Sequence, residues 1–286
     1  MSQIALGTVQ FGLPYGVANQ SGQVSLPAVK AMLQLASSHA VDTLDTAIAY
    51  GSSEIHLGQA GVSAFKVVSK LPEVPATCSN ISAWVQEQVA GSLARLGINN
   101  LYGVLLHKPD QLLAENGCEI YQALQSLQQV GIIQKMGVSI YTPQQLDALI
   151  PRYSFDLVQA PLNLIDRRLH TSGWLQRLAL EGVEVHTRSA FLQGLLIMPQ
   201  AALPVRFMQW PDVWVKWYEW LSVHDVSAVQ ACLAYPLSLA GVSRVVVGAD
   251  SPDQLEQIIS AAAQAPIADL PNLQSTDENL MNPALW

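Results

Sequence analysis

The sequence is poor in charged residues. Only 13% of its 286 residues are charged, and 22 acidic against 14 basic residues give a net charge of −8. The pI is about 5.1 and no basic cluster is present. This excludes proteins that bind nucleic acid or an anionic membrane surface through positive charge. Half of the residues are hydrophobic, so the chain has the apolar surface for a large folded core.

The sequence also lacks the features of secreted and membrane proteins. Its three cysteines, Cys78, Cys118 and Cys232, lie far apart without a CxxC pair, which is no basis for a disulfide framework. The N-terminal residues show no signal peptide, and no apolar run reaches the roughly 18 residues of a membrane span. We therefore expect a cytoplasmic protein in a reducing compartment.

Several site motifs are missing too. The histidines show no HxxxH or HExxH spacing, so no metal site is predicted. There is no Walker sequence and no GxSxG nucleophile elbow.

Short β-rich apolar runs alternate with helical patterns along nearly the whole chain. Most of the runs are continuously apolar, which is typical of parallel strands covered on both faces. The predicted strands are Ile4–Val9, Thr43–Ala47, Lys66–Ser69, Leu101–Leu106, Gln134–Val138, Leu157–Gln159, Val183–Thr187 and Arg244–Val247.

Two architectures have this alternation, an open doubly wound sheet and a closed barrel. The turn after the first strand, residues 7–12, reads GTVQFG and does not match the GxGxxG of a dinucleotide-binding sheet. Eight βα units fit the usual barrel length of about 250 residues. We predict an α/β fold of the TIM type, a parallel eight-stranded (β/α)8 barrel over residues 1–264, with an irregular tail over 265–286 that packs on it.

Four polar side chains lie at the predicted carboxyl ends of consecutive strands, where barrel enzymes place their chemistry. They are Asp45, Tyr50, Lys70 and His107. Each alone is more simply a cap, packing or surface residue. Together they form an acid/base set, because an ammonium group lowers the pKa of a neighbouring tyrosine and an aspartate holds that ammonium in place. The set suits proton transfer to a carbonyl oxygen, with hydride supplied by a cofactor.

With this set of residues the sequence resembles the aldo-keto reductase family. Residues 45–54 match the pattern DTAxxYGxSE, and Lys70 and His107 stand where the family has a lysine and a histidine. Further segments, residues 136–139, 158–163, 187–194 and 245–250, also resemble family motifs. The resemblance implies that Tyr50 is the general acid or base, that Lys70 with Asp45 lowers its pKa, and that His107 orients the substrate carbonyl.

The resemblance also implies a nicotinamide cofactor site. Ser139 and Gln159 would bind the carboxamide, Arg188 would lie against the nicotinamide ring, and residues 189–195 would line the pyrophosphate. The predicted cofactor-binding residues are Thr8, Asp45, Ser139, Gln159, Arg188, Ser189, Phe191, Gly194, Gly248, Asp250, Ser251, Gln254 and Gln257.

Two departures from the family pattern concern this site. Ile140 replaces a frequent asparagine, so one carboxamide contact is missing. Gly248 and Gln254, with Asp250 beside them, replace the cations that often surround the 2′-phosphate of NADP. The family habit favours NADP(H), while the local charges allow NAD(H).

For substrate contact the sequence offers Tyr50, His107, Gln10, Phe11 and Tyr15. A tryptophan-rich segment, residues 208–220, has two interpretations: an aromatic helix face packed on the barrel, or a wall of the pocket or of an interface. We expect a small carbonyl or sugar substrate, and the sequence leaves monomer and homo-oligomer equally open.

Three functions are consistent with the predicted barrel and its candidate site residues. The first is an NAD(P)(H)-dependent oxidoreductase that reduces an aldehyde, ketone or sugar carbonyl, or oxidises the alcohol. The second is a catalytically silent nicotinamide-binding sensor or regulatory subunit on the same fold. The third is an unrelated barrel enzyme, such as a phosphosugar isomerase, that needs no nicotinamide.

Overall fold

The fold of the chain is a closed parallel barrel. A computed structural model describes residues 2–264 and 266–286, and within them eight strands alternate with helices. Every strand pairs in parallel with the next, and the first pairs with the last. The predicted (β/α)8 barrel is therefore confirmed.

The elements have the following bounds. The strands are β1 Ile4–Gly7, β2 Thr43–Asp45, β3 Lys66–Leu71, β4 Leu101–Leu106, β5 Ile133–Ser139, β6 Leu157–Pro161, β7 Glu184–Arg188 and β8 Arg244–Gly248. The helices are α1 Leu26–Ser38, α2 Ser53–Ala60, α3 Ile81–Leu96, α4 Gly117–Gln129, α5 Pro143–Leu149, α6 Arg168–Thr171, α7 Trp174–Leu180, α8 Pro211–His224, α9 Ala228–Ser238, α10 Pro252–Ala262 and α11 Glu278–Met281.

Two strand ends differ from the sequence-based prediction in a way that matters for the site. β1 ends at Gly7 because the chain turns there into a short 3₁₀ segment, in which the Phe11 N–H donates to the Thr8 carbonyl (3.0 Å). β3 continues to Leu71, so Lys70 lies within the strand, not after it. Its side chain is only 1% exposed, which no lysine at a solvated strand end would be.

The amino-terminal end of the barrel is filled by a polar cluster around Glu184. Its carboxylate accepts hydrogen bonds from the Tyr102 hydroxyl (2.7 Å) and His186 Nε2 (2.7 Å), and it pairs with Lys135. Burial raises the pKa of Glu184, but the hydrogen bonds from His186 and Lys135 outweigh burial and hold this pKa below its usual range. Because these residues lie at the start of their strands, the opposite end of the barrel is left for a ligand.

The tryptophan-rich segment packs against the barrel. Trp214 and Trp217, on α8, are buried, and their indole N–H groups donate to the Phe207 carbonyl (2.6 Å) and the Leu196 carbonyl (3.0 Å). Each large ring thus has its polar group satisfied inside the protein. Of the two interpretations, an aromatic helix face packed on the barrel matches this structure.

The stretch 266–286 lies against the barrel. Residue 265, where we predicted the division between barrel and tail, lies outside the described residues, as does residue 1. In the stretch 266–286, Leu273, Leu280 and Met281 are buried, and the Trp286 ring lies edge-on to Phe207 with 4.7 Å between ring centroids. No helix in the part of the chain that the structure describes is long and apolar enough to cross a bilayer.

Candidate active site

A cavity of about 340 Å³ opens at the carboxyl ends of the strands. Its size lies in the range of roughly 300–1,000 Å³ that is typical of ligand sites. Most of the predicted site residues line it: Thr8, Gln10, Asp45, Tyr50, Lys70, His107, Ser139, Gln159, Arg188, Ser189, Phe191, Gly194, Gly248, Asp250 and Gln254. The barrel therefore brings together residues that are as far apart in sequence as Thr8 and Gln254.

The most buried charges of the cavity are Lys70 and Asp45. Lys70 Nζ donates to Asp45 Oδ2 (2.7 Å) and to the Thr46 carbonyl (2.9 Å), and both side chains are almost completely buried. Burial lowers the pKa of Lys70, but the negative charge of Asp45, its hydrogen bond with Lys70 and smaller contributions from Tyr50 together outweigh burial and raise this pKa above its usual value. Lys70 is therefore an ammonium group at neutral pH.

Tyr50 stands over this ammonium group. Lys70 Nζ lies 4.9 Å from the centroid of the Tyr50 ring, and the His107 ring meets it edge-on at 5.8 Å. The turn that carries Tyr50 touches the chain after β1 so closely that a Cβ on Gly12 would lie 1.8 Å from the Tyr50 carbonyl oxygen. Only glycine fits at position 12, and this contact fixes the height of Tyr50 above the barrel.

The last two residues of the motif, Ser53 and Glu54, hold this turn from below. Ser53 Oγ donates to the Thr8 carbonyl (2.8 Å), and the buried Glu54 carboxylate accepts from Ser69 Oγ (2.7 Å) and Arg95 Nε (2.8 Å). Sequence reasoning did not assign a role to either residue. Their position in the motif next to Tyr50 was the available signal, and the structure shows that they anchor α2 to β1, β3 and α3.

His107 continues the β4 ladder, where its N–H donates to the Leu71 carbonyl (3.0 Å). Burial, together with the positive charge of Lys70, lowers the pKa of His107 from 6.5 to about 4. The imidazole is thus neutral at pH 7 and retains one N–H donor.

This pKa predicts a pH dependence of stability. Between pH 6.5 and 4 the folded protein binds fewer protons at His107 than the unfolded chain does, so the free energy of unfolding falls as the pH falls through this range. His107→Asn abolishes this contribution. Urea unfolding at pH 7 and at pH 4.5 measures how much of the free energy of unfolding is lost over this range. We expect this loss to be about 2 kcal/mol smaller in His107→Asn than in the parent protein.

His224→Asn is the matched control, because His224 is exposed on α8 and does not line the cavity. The free energy of unfolding of His224→Asn should depend on pH as that of the parent protein does. Equal losses in the parent and His107→Asn proteins would contradict the prediction.

Ser139 and Gln159 connect to the charged pair. Ser139 Oγ donates to Gln159 Oε1 (3.3 Å), and Gln159 Nε2 donates to Asp45 Oδ1 (2.7 Å). Asp45 thereby accepts from Lys70 on one oxygen and from Gln159 on the other. Two predicted catalytic residues, Asp45 and Lys70, thus form one buried hydrogen-bonded chain with Gln159 and Ser139, the two residues predicted to bind the carboxamide.

Arg188 lies at the end of β7 on the wall of the cavity. Its guanidinium lies 4.7 Å from the centroid of the Tyr141 ring, and Nη2 donates to the Ile140 carbonyl (3.1 Å). The residue that departs from the family pattern, Ile140, thus contributes its backbone oxygen to hold Arg188. After Arg188 the chain takes left-handed backbone angles at Ser189 (φ 64°), which turns it along the cavity.

Residues 12–24, which follow the 3₁₀ turn after β1 and lead to α1, lie across the mouth of the cavity, and we call them the β1 loop. The Val17 N–H donates to the Gln193 carbonyl (3.0 Å), and Asn19 Nδ2 donates to Asp250 Oδ1 (2.9 Å). The loop therefore joins the end of β1 to the loops that follow β7 and β8. Tyr15, Asn19 and Gln193 line the cavity from these irregular segments, and for Asn19 and Gln193 the sequence offered no periodic signal.

Three of the individually predicted residues are not in the cavity, and within the predicted range 189–195 the buried side chains of Leu192 and Leu195 do not line it either. Phe11 is fully buried in the hydrophobic core below the β1 loop, so the prediction that it contacts substrate is wrong for this structure. Ser251 is the N-cap that precedes α10, where its Oγ accepts from the Gln254 N–H (3.2 Å), and Gln257 is exposed farther along this helix. Among the described lining residues there is no tryptophan.

The sequence profile of the aldo/keto reductase family matches residues 3–278. Two curated proteins align with part of the chain. An uncharacterized oxidoreductase of Bacillus subtilis, YqkF, is 25% identical over 63% of this chain and 60% of its own length. A D-threo-aldose 1-dehydrogenase of a Pseudomonas species is 25% identical over 63% of this chain and 57% of its own length. The chain thus spans about three fifths of these relatives.

Solved structures share the fold. A putative aldo-keto reductase from Pseudomonas aeruginosa superimposes with a TM-score of 0.69 at 24% identity, covering 92% of this chain and 90% of that one. The holo form of an aldo-keto reductase from Bacillus halodurans gives a TM-score of 0.74 at 20% identity, over 93% and 88% of the two chains. At these sequence identities the structural similarity shows that the barrel fold is shared, and nothing beyond the fold.

Proposed function

This chain belongs to the aldo/keto reductase family, and from that premise we propose that it is an oxidoreductase that transfers hydride between a nicotinamide dinucleotide and a carbonyl carbon. The substrate class is an aldehyde, a ketone or a sugar carbonyl, or the corresponding alcohol in the reverse direction. The observation that carries the proposal is the buried Lys70–Asp45 pair beneath Tyr50 and beside His107 in one cavity.

The residues of the cavity fit a nicotinamide dinucleotide. Gln10 Oε1 is buried and has no hydrogen-bond partner in the described structure, so the cavity contains an acceptor that a ligand can satisfy. We assign Ser139 and Gln159 to the carboxamide, Arg188 to the nicotinamide ring, and residues 189–194 to the pyrophosphate. The bound nicotinamide supplies or accepts the hydride.

Tyr50 is assigned the proton transfer. A free tyrosine has a pKa near 10 and donates its proton poorly at neutral pH. The ammonium group of Lys70 stabilises the phenolate, since Lys70 is held in its charged form by Asp45 at 2.7 Å. In the direction of reduction, Tyr50 gives its hydroxyl proton to the substrate oxygen, and in oxidation the phenolate takes it back.

His107 is assigned the orientation of the substrate. Its neutral imidazole can donate one hydrogen bond to the carbonyl oxygen without adding a second positive charge beside Lys70. Because the Tyr50 and His107 rings are in edge contact, one substrate oxygen can receive hydrogen bonds from both.

A hydroxylated substrate fits the polar mouth of the cavity, which carries Tyr15, Tyr141 and Gln193. One of the relatives is named an aldose dehydrogenase, which is consistent with a sugar. We therefore place sugars first within the carbonyl class.

The proposal is tested with the purified chain, NADH or NADPH, and a panel of aldehydes, ketones and aldoses. We expect at least one carbonyl compound to oxidise the reduced cofactor, which is measured as a loss of nicotinamide absorbance. The matching alcohol or aldose should reduce the oxidised cofactor. Cofactor binding without turnover on any panel member would indicate a silent sensor instead. Absence of binding by either cofactor would favour a barrel enzyme of another class.

A further inference from the structure

The far end of the cavity, at the turn between β8 and α10, bears on which dinucleotide is used. Gly248, Asp250 and Gln254 line the cavity there. The polar side chains that line the cavity at this end are one carboxylate and one amide. NADP differs from NAD by a phosphate on the adenosine ribose, so the charge of this end decides between them.

Positive charge in the cavity is confined to the other end. Among the described lining residues, the permanently cationic side chains are Lys70 and Arg188. Lys70 is paired with Asp45, and the guanidinium of Arg188 lies over Tyr141. Neither belongs to the β8–α10 turn, so the lining residues of that turn offer a phosphate no cationic side chain to pair with.

Two backbone donors at this turn are also occupied. A helix N-terminus usually offers free N–H groups to a phosphate. Here the Asp250 N–H donates to Gln254 Oε1 (2.8 Å), and the Gln254 N–H donates to Ser251 Oγ (3.2 Å). The start of α10 thus satisfies two of its own donors within the protein.

The Asp250 carboxylate is held in place and directed at the cavity. Its Oδ1 accepts from Asn19 Nδ2 (2.9 Å), and Asn19 is fixed in turn by the backbone of Gly22, whose N–H donates to Asn19 Oδ1 (2.8 Å). Within the described residues, Oδ2 of Asp250 receives no hydrogen bond, which leaves an acceptor for a ligand hydroxyl. A carboxylate accepts hydrogen bonds from the free ribose hydroxyls of NAD and repels a 2′-phosphate.

We propose that Asp250, positioned by Asn19, makes the protein select NAD(H) over NADP(H), the opposite of the preference that the family resemblance favours. The inference rests on the proposed function, because it assumes that the cavity binds a nicotinamide dinucleotide with its adenosine at the β8–α10 turn. Asp250 acts on binding, and the hydride and proton transfers at Tyr50 are unaffected.

The test is calorimetric titration of the parent protein, Asp250→Asn, Asp250→Ser and Asp253→Asn with NAD⁺ and NADP⁺. Asp253→Asn removes one negative charge from the first turn of the same helix at an exposed position outside the cavity. We expect the parent and Asp253→Asn to bind NAD⁺ at least about tenfold more tightly than NADP⁺. Both Asp250 variants should lower that ratio by about tenfold, the effect of one Coulomb interaction at close range.

Tighter binding of NADP⁺ by the parent, or equal binding of the two, overturns the inference. An unchanged ratio in folded Asp250→Asn and Asp250→Ser, judged by their thermal unfolding, overturns the role of Asp250. If the parent binds neither dinucleotide, the proposed function itself fails, and this outcome is distinct from binding with the wrong preference.

Discussion

Replacing Tyr50 by phenylalanine is expected to lower turnover by about 10²–10⁴-fold, the usual contribution of a positioned proton donor. The substitution removes the hydroxyl and keeps the ring, so the edge contact with His107 and the approach of Lys70 Nζ to the ring are preserved. Cofactor affinity and the free energy of unfolding should change little. Steady-state kinetics with the best carbonyl substrate and a cofactor titration measure the two effects separately.

Tyr15→Phe is the matched control for this experiment. Tyr15 also lines the cavity, but it is 41% exposed at the rim, where its hydroxyl accepts from Gln193 Nε2 (3.1 Å). We expect a change of only a few fold in turnover, which corresponds to less than about 1 kcal/mol in the barrier. Undiminished turnover in Tyr50→Phe would refute the assignment of Tyr50 as proton donor.

Replacing Lys70 by methionine is expected to impair both stability and activity. Methionine fills the space of the lysine stem but leaves the buried Asp45 carboxylate without its ion-pair partner and with Gln159 as its remaining side-chain donor. Breaking a buried pair on one side costs about 3–5 kcal/mol in the free energy of unfolding. Loss of the ammonium beneath Tyr50 should also reduce turnover by at least about 100-fold, because the phenolate is no longer stabilised.

Two further variants separate these effects. Lys66→Met removes the lysine at the start of the same strand, whose side chain is 39% exposed and pairs with Asp42 at 3.0 Å. A pair so exposed contributes about 0–1 kcal/mol, so denaturant unfolding of this control should shift little. The double variant Lys70→Met with Asp45→Asn removes both charges and should recover much of the lost stability while turnover stays low. Full activity in either variant that lacks Lys70 would rule out its role beneath Tyr50.

The barrel could be predicted because its strands carry a simple signal. Parallel strands covered on both faces are continuously apolar. In the helices between them, apolar residues recur every three or four positions. The strand ends followed from this, and with them the approximate meeting place of Asp45, Lys70 and His107. The exact depth of Lys70 did not follow, since the partner that allows a lysine to be buried inside β3 lies on another strand.

The irregular segments were harder to interpret from sequence. Phe11 follows a predicted site strand, and only the 3₁₀ turn after Gly7 directs its ring into the core. Asn19 reaches Asp250 across 231 positions through the shape of a loop, for which no periodicity exists. The bond between Gln159 and Asp45 likewise depends on the spacing of two strands across the barrel.

The β1 loop also limits how this scaffold can be re-engineered. Its first residue, Gly12, is in contact with the turn of Tyr50, its middle with Gln193, and Asn19 with Asp250. A loop exchanged from another barrel would therefore displace the turn of Tyr50, the segment after β7 and the Asp250 carboxylate together, and cannot be treated as a portable module. Grafts are better made around α8, whose aromatic face packs on the barrel and whose residues do not line the cavity.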